Sequence, residues 1–358
     1  MLSSYRLHSS WGGSRALCRA LVMSGVGALL LPACQGTPTD LAPGPDEPPA
    51  LAAPRELPPG IVIDMGTEDA TSHAVVGFSL PESTGTRSAT WSEGELSTLA
   101  FHLKGGAPGY VVAFLAEPYH PLGEVPVGVA FNKHPLGNAT VVRGWRAYRV
   151  VVPGSEVNTG RNELSFHFAK TGRPSDFDPG SSDLRELGVR FDEVQVQPIT
   201  SEVALSFGSR NALALSSLGE GWERDPSDRG TGTWTVAERA TLTFSIAKAD
   251  VQSYRLELSA RAPRGVAERT VNVSLNGSPL GPLVFPESKS SAAIDVPAAR
   301  LKAENELAFE FQKLETPAEL DPSSKDKRHL GLRVFGLAVQ PTQAESPSAA
   351  PAAALDPR

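Results

Sequence analysis

The sequence repeats itself at an offset of about 143 residues, and this repeat constrains the fold more than any other feature. The matching segments are Thr90-Trp91 with Thr233-Trp234, Asn162-Glu163-Leu164 with Asn305-Glu306-Leu307, and Asp183-x-Arg185 with Asp326-x-Arg328. Because a period this long is that of a whole domain, it indicates two tandem domains and not a solenoid of short repeats. We predict one domain over 60–200 and a second over 202–341, joined by a very short hinge.

Apolar and polar residues alternate within each copy, as in Leu99-x-Phe101-x-Leu103 and Leu242-x-Phe244-x-Ile246. This period of two, interrupted by Gly, Pro, Asn and Ser, is typical of half-buried antiparallel strands. It predicts an all-β chain in which each copy forms a two-sheet sandwich of jelly-roll type. The final strand of each copy changes phase at the same place, after Phe191 and after Val334, which predicts a β-bulge there.

The first 59 residues carry a targeting pattern. Three arginines without acidic neighbours precede an apolar run over 20–31, which is too short to span a bilayer as a helix but suits an export signal. The run ends in Leu31-Pro32-Ala33-Cys34, which resembles a bacterial lipoprotein signal. This resemblance implies a signal peptide over 1–33 and acylation of Cys34; the alternative is an ordinary secretory signal followed by a chance cysteine.

The resemblance also implies a location. An acylated Cys34 would hold the chain on a membrane, and Gln35 after it implies the outer membrane or cell surface rather than the inner membrane. The proline-rich segment 34–59 predicts an extended linker, and the composition of 342–358 predicts a disordered tail.

Composition and motifs exclude several function classes. The formal net charge of -7 argues against a nucleic-acid partner, and two cysteines are too few for a disulfide framework. The sequence lacks a Gly-x-Ser-x-Gly elbow, a phosphate-binding loop and a His-Glu-x-x-His zinc motif. We therefore predict a protein that is not an enzyme and that needs no cofactor.

A family resemblance rests on scaffold motifs. These motifs are Gly221-Trp222-Glu223, Thr233-Trp234-Thr235, Leu275-Asn276-Gly277, Asn305-Glu306-Leu307 and Asp326-x-Arg328-x-Leu330-Gly331. They resemble galactose-binding-type β-sandwich modules, and the resemblance covers both repeats. It implies glycan binding or protein docking without catalysis.

Candidate ligand-binding residues are those that differ between the copies. Trp222 is followed by Glu223 and Arg224, and an aromatic face beside charged hydrogen-bonding groups suits a sugar ring; the alternative is that Trp222 plugs the end of the sandwich. Trp145-Arg146 and Tyr119 have no counterpart in the second copy, so they are further ligand candidates, with surface packing as the alternative.

Residues present in both copies are expected to serve the scaffold. Trp91 and Trp234 are predicted to pack in the cores, and the Asp183/Arg185 pair is predicted to pin a loop, as is its copy in the second repeat. Asp176, Asp178 and Asp183 cluster in one loop and are the candidates for a Ca²⁺ site, which would be the one metal in an otherwise cofactor-free protein.

The sequence thus favours a lipid-anchored envelope protein that binds polysaccharide through loop ends of its sandwiches. Two alternatives stay open. The sandwiches could dock onto another envelope protein, in which case a broad apolar patch would be exposed. The chain could also be an accessory to a glycan-processing enzyme.

Overall fold

The computed structural model describes residues 60–84, 87–207, 211–223 and 232–342. The predicted signal peptide, Cys34, the proline-rich linker, Arg224 and residues 343–358 lie outside these ranges. Within the ranges, no helix is long and apolar enough to cross a membrane.

Antiparallel strands dominate the first repeat. Its strands are β1 (Ile61–Asp64), β2 (Ala74–Val76), β3 (Glu82–Thr84), β4 (Arg87–Glu93), β5 (Leu96–Leu103), β6 (Gly109–Pro118), β7 (Val125–Phe131), β8 (His134–Val141), β9 (Arg146–Pro153), β10 (Gly160–Phe168) and β11 (Leu187–Pro198). Its helical segments are α1 (Glu68–His73), α2 (Pro174–Phe177) and the 3₁₀ turns His120–Leu122 and Gly154–Glu156.

These strands form two facing sheets. One sheet, called here the β6 sheet, has the order β3-β4-β11-β6-β9, with β1 also paired to β11, and the other has the order β2-β5-β10-β7-β8. Alternate residues such as Leu164, Phe166 and Phe168 of β10 point into the space between the sheets and are buried. The first repeat is therefore a β-sandwich with an apolar core, as its alternating pattern predicts.

The second repeat has the same architecture. Its strands are β12 (Val203–Ser206), β13 (Thr233–Trp234), β14 (Arg239–Ser245), β15 (Ser253–Arg261), β16 (Glu268–Leu275), β17 (Ser278–Pro286), β18 (Ser290–Pro297), β19 (Glu304–Glu310) and β20 (Arg333–Pro341), and its helical segments are α3 (Ala212–Ser216), α4 (Pro317–Leu320) and the 3₁₀ turn Ala298–Arg300. One sheet, called here the β15 sheet, has the order β12-β20-β15-β18, with β13 also paired to β20, and the facing sheet has the order β14-β19-β16-β17. The prediction of an all-β chain with two tandem jelly-roll sandwiches is confirmed.

The predicted bulge occurs in both final strands. Against β6, the register of β11 shifts between Phe191 and Glu193, and against β15 the register of β20 shifts so that Phe335 is left over. The extra residues, Asp192 and Phe335, occupy matching positions of the repeat. A bulge turns the following residues over, so the apolar face of each strand stays inside the sandwich on both sides of the shift.

A pair of asparagines fixes the same turn in each sandwich. Asn132 donates its side-chain amide to Oδ1 of Asn162 at 2.8 Å, and Asn276 donates to Oδ1 of Asn305 at 3.0 Å. Asn162 and Asn305 are buried, and their remaining bonds go to backbone groups. Since a buried polar group is costly unless it is hydrogen-bonded, these shared residues serve the scaffold.

The two sandwiches pack directly against each other. Ala113 and Leu115 lie on the outer face of the β6 sheet, and together with Ala212 of α3 they form a small apolar cluster. Leu213 and Leu215 of the same helix also pack there. The second sandwich is therefore seated on the first, and the short hinge between them is not a free tether.

Polar groups of the first sandwich complete this interface. Glu193 accepts the backbone N–H of Ala212 at 2.7 Å, and Gln195 accepts that of Leu213 at 3.3 Å, so two otherwise orphaned donors at the start of α3 are satisfied. Burial raises the pKa of Glu193. Arg149 donates to the Thr243 carbonyl at 3.2 Å, and burial lowers the pKa of this guanidinium.

Candidate functional site

Aromatic rings and guanidinium groups alternate across the outer face of the β6 sheet. The Cζ of Arg190 lies 5.3 Å from the Trp91 ring centroid and 5.1 Å from that of Trp145, and the Cζ of Arg87 lies 5.1 Å from the same Trp145 ring. We call this row of four side chains the Trp–Arg ladder. Cation–π contacts of this kind hold the rings in place at a partly exposed surface.

Two carboxylates neutralise the ladder. Glu117, which is buried, accepts from Nε of Arg190 at 2.6 Å, and Asp192, the bulge residue, accepts from Arg87 at 2.7 Å. Because the charges are paired and hydrogen-bonded, the guanidinium groups are fixed in position. The ladder therefore presents its aromatic surface on a rigid support.

Tyr119 continues the ladder at the loop end of the sandwich. Its ring makes edge-to-face contacts with Trp91 at 5.8 Å and with Phe177 at 5.9 Å between centroids. Burial raises the pKa of the phenol, and the charges of Asp183 and Asp178 raise it further. The predicted ligand residue Tyr119 thus belongs to the same surface as Trp145, at its other end.

At the Trp145 end, the ladder opens into a cleft of about 220 Å³ between the two sandwiches. The first sandwich lines it with Arg87, Leu115, Trp145, Arg146 and Ala147, and the second lines it with Leu215, Leu218 and residues 219–223. We call this the inter-sandwich cleft. It is smaller than the ~300–1,000 Å³ of pockets for drug-sized ligands, so it suits one ring or the end of a chain.

The structure brings together four of the residues that the sequence singles out. Trp145 and Arg146 form one wall of the cleft, and Trp222 and Glu223 line the other. Trp145 and Arg146 are half-buried, so each presents part of its surface. The sequence alone gives no sign that residues from the two repeats share one cleft.

The prediction that Trp222 stacks on a ligand is wrong. Trp222 is 4% exposed and belongs to the core of the second sandwich, where it contacts Phe207 and Phe309. Its indole N–H donates to the Thr241 carbonyl at 2.5 Å. In the first sandwich Phe78 holds the matching position and packs against Phe191. Trp222 thus plugs the end of the sandwich. The charged residues that follow it in the sequence do not indicate that its ring is exposed.

Glu223 also serves the scaffold. It pairs with Arg328, which is bonded to Asp326 as well. Arg185 makes the equivalent contacts with Glu82 and Asp183 in the first sandwich. The predicted Asp–Arg pair that pins a loop is thereby confirmed in both copies. The carboxylate of Glu223 lies in the cleft wall, where Arg328 neutralises its charge.

The candidate Ca²⁺ ligands do not form a metal site. The hydrogen bonds from Arg185 hold the pKa of Asp183 below its usual range, and Asp178 accepts the backbone N–H of Gly180 at 2.9 Å. In the described ranges, no group of three or more His, Cys, Asp or Glu side chains is placed to hold a metal ion. Asp176 therefore does not form a set of metal ligands with Asp178 and Asp183. The oxygens of Asp183 are used by arginine instead.

The expectation of core packing is wrong for Trp91, which is half-buried, whereas Trp234 is buried as expected, at 9% exposed. Neither ring is part of the main apolar cluster between the two sheets of its sandwich. Both lie on the outer sheet faces, where Arg190 covers Trp91 and Arg333 lies 5.7 Å from Trp234. The strand alternation points Thr90 and Ser92 inward, so the tryptophan between them must point outward.

Comparisons with known proteins identify no family. No protein-family model matches the chain, and no curated protein matches its sequence. Among solved structures, the chain is similar to the tandem CBM22 domains of Paenibacillus barcinonensis Xyn10C, with 9% identity and a TM-score of 0.27 over 81% of this chain and 100% of that one. It is also similar to the ANX2 ectodomain from Arabidopsis thaliana, with 11% identity and a TM-score of 0.26 over 81% and 90% of the two chains.

A GH26-CBM35 β-(1,4)-mannanase from Podospora anserina matches with 18% identity and a TM-score of 0.27. That match covers 41% of this chain and spans 29% of the mannanase chain. At such low identities and TM-scores, none of these similarities transfers a function.

Proposed function

We propose that this chain binds carbohydrate without catalysis, and that the inter-sandwich cleft holds a sugar ring against Trp145. The observation that carries the proposal is the half-buried Trp145, which stands at the cleft wall where the Trp–Arg ladder ends. The apolar side chains of Leu115 and Ala147 lie beside it.

The composition of the cleft suits a sugar. The part of the Trp145 ring that Arg87 and Arg190 leave uncovered offers an apolar surface to the C–H bonds of a pyranose. Arg146 supplies N–H donors, and Glu220 supplies carboxylate acceptors, for the hydroxyl groups at the ring edge. An apolar wall with a few polar groups at its rim is the usual composition of a small-ligand site.

The charges of the cleft favour binding over hydrolysis. A glycosidase needs one carboxylic acid that stays protonated beside a second, ionised carboxylate. Glu220 is paired with Arg239 at 2.5 Å, and Glu223 is paired with Arg328. Each carboxylate is thus engaged by an arginine, and the two do not form a facing pair of free acids. This supports a binding module.

Replacing Trp145 with alanine is expected to weaken glycan binding about tenfold or more. Loss of an aromatic contact removes ~0.5–1.5 kcal/mol beyond the loss of buried area, and ~1.4 kcal/mol corresponds to a factor of ten in Kd. The measurement is a glycan array followed by affinity electrophoresis with whole neutral polysaccharides, using the purified full chain in detergent.

The matched control is Val284→Ala, which removes a side chain that is 49% exposed on the second sandwich. It is expected to leave binding unchanged. Failure of the wild-type chain to bind any neutral glycan, or equal binding by the Trp145→Ala variant, overturns the proposed site. Crosslinking to envelope proteins then tests the docking alternative.

We further propose that acylation of Cys34 anchors the chain to the cell envelope, with the proline-rich linker as a spacer. Support comes from the sequence pattern around Cys34. Replacing Cys34 with serine is expected to remove lipid labelling and to move the chain from the membrane to the soluble fraction. Labelling of growing cells with a palmitate analogue measures this, and a Cys18→Ser variant, which should stay labelled, is the control. Retained labelling of the Cys34→Ser variant contradicts the proposal.

A further inference from the structure

The outer face of the second sandwich carries the same row of positions as the Trp–Arg ladder, with different charges. In the first sandwich, Arg190 stands opposite Trp91 on one side and Glu117 on the other. In the second, Arg333 stands opposite Trp234 on one side, and the residue on its other side is Arg261. The strand register thus equates Glu117 with Arg261, so a carboxylate has been replaced by a guanidinium.

The bulge position changes in the same direction. Asp192, which neutralises Arg87 in the first sandwich, corresponds to Phe335 in the second. Lys289 lies over this ring, with its Nζ 4.9 Å from the centroid. The two carboxylates that neutralise the Trp–Arg ladder, those of Glu117 and Asp192, therefore have no counterpart at the matching positions of the second sandwich.

The result is a cluster of three cations on two aromatic rings. The Cζ of Arg261 lies 5.3 Å from the Trp234 centroid, and the Cζ of Arg333 lies 5.7 Å from Trp234 and 6.0 Å from Phe335. Arg261 and Arg333 face each other across the strand pair, and both guanidinium groups lie against the Trp234 ring.

Two cations of the cluster, Arg261 and Lys289, are in position to take an anion. In the described ranges, the contacts of Arg261 and Lys289 are with these rings rather than with a carboxylate. The nearest acidic residue on the same face of β15 is Glu257, two rows away. Lys289 is exposed and Phe335 is half-buried, so both are accessible from solvent.

We infer that this face of the second sandwich binds an acidic sugar unit, which rests on the proposed function that the chain binds glycans. A carboxylate or sulfate group would accept hydrogen bonds from Arg261 and Lys289, because a guanidinium matches the geometry of an oxyanion. The sugar ring would lie on Phe335. The site is separate from the inter-sandwich cleft, since it lies on the β15 sheet.

The test compares Arg261→Gln with Arg255→Gln in the full chain. Both variants remove one positive charge from the outer face of β15, but Arg255 is paired with Asp295 at 3.1 Å, away from the cluster. The probes are alginate, which carries carboxylates, dextran sulfate, which carries sulfates, and neutral dextran. Binding is measured by affinity electrophoresis at two salt concentrations, because screening weakens contacts with an anionic polymer.

We expect Arg261→Gln to weaken binding of at least one acidic polymer about tenfold and Arg255→Gln to change it less than twofold. Lys289→Gln, at an exposed position, is expected to weaken binding of the same polymer. Weaker binding of alginate indicates a site for carboxylates, and weaker binding of dextran sulfate indicates a site for sulfates. Equal weakening by Arg255→Gln and Arg261→Gln, or no binding of either acidic polymer, overturns the inference.

The two proposals fail separately. Trp145→Ala should leave acidic-polymer binding intact, and Arg261→Gln should leave neutral-glycan binding intact. Loss of neutral binding in the wild-type chain, with an Arg261-dependent response to alginate or dextran sulfate, overturns the cleft and supports this second site. Neutral binding that depends on Trp145, without any response to Arg261→Gln, overturns the second site alone.

Discussion

Replacing Ala113 with lysine is expected to separate the two sandwiches while leaving each one folded. Ala113 is fully buried on the outer face of the β6 sheet, where Ala212 of α3 packs against it. A lysine there would sit directly opposite Arg149 in the β6–β9 ladder. Steric overlap costs ~1–3 kcal/mol, and an unpaired charge buried in this interface costs ~3–5 kcal/mol.

Undocking avoids both penalties, so we expect it in preference to unfolding. The radius of gyration from small-angle X-ray scattering should increase, and the linker over 199–202 should be cleaved at least tenfold faster in limited proteolysis. The far-ultraviolet circular dichroism spectrum should not change, because the strands of each sandwich are internal to it.

Ala293→Lys is the control, because Ala293 is exposed on the corresponding face of the second sandwich and lies opposite Glu257. It should leave both the radius of gyration and the cleavage rate as they are. An Ala113→Lys variant with wild-type scattering and wild-type cleavage would show that the interface tolerates the charge, and would contradict the docked arrangement.

The docking of the sandwiches was not predicted, although the sequence contains a signal for it. Residues 110–116 of β6 form a continuous apolar run, whereas the matching strand β15 alternates apolar and polar residues. A continuous run predicts a strand that is covered on both faces. The sequence of β6 does not indicate which element covers its outer face, because that element, α3, belongs to the other repeat.

The fold itself was predictable because the repeat supplies two independent copies of each strand pattern. The phase change at Phe191 and Val334 located both bulges for this reason. The site was predictable only in part. Trp145 stood out because the second repeat has Lys289 at the matching position, whereas Arg87 and Glu220 were missed, since they approach the cleft from opposite sandwiches.

Trp222 shows the converse limit. A tryptophan next to charged residues has the same local sequence whether its ring faces a ligand or the core. The direction of the ring is set by the bridge that pairs Trp222 with Thr235 and by the space that Phe207 and Phe309 leave. Such long-range packing is not encoded in the neighbouring residues.

Replacing Phe191 with alanine is expected to cost the first sandwich ~3–5 kcal/mol, the range for removing a fully buried phenylalanine. Phe191 is fully buried, and its ring contacts four other phenylalanines: Phe78, Phe114, Phe166 and Phe168. Because these rings come from both sheets, the cavity cannot close by the shift of one strand. The measurement is urea unfolding of the full chain, followed by tryptophan fluorescence.

The variants Phe191→Leu and Phe177→Ala calibrate this result. Leucine keeps most of the apolar volume and should cost less than alanine, whereas Phe177 is 49% exposed and its removal should leave the free energy of unfolding nearly unchanged. The second sandwich has Val334 at the position of Phe191, so other side chains fill its core. Its free energy of unfolding should therefore not change in the Phe191→Ala variant. A loss below ~1 kcal/mol for Phe191→Ala would mean that the aromatic cluster can collapse into the cavity, and that Phe191 is not the residue that joins the two sheets.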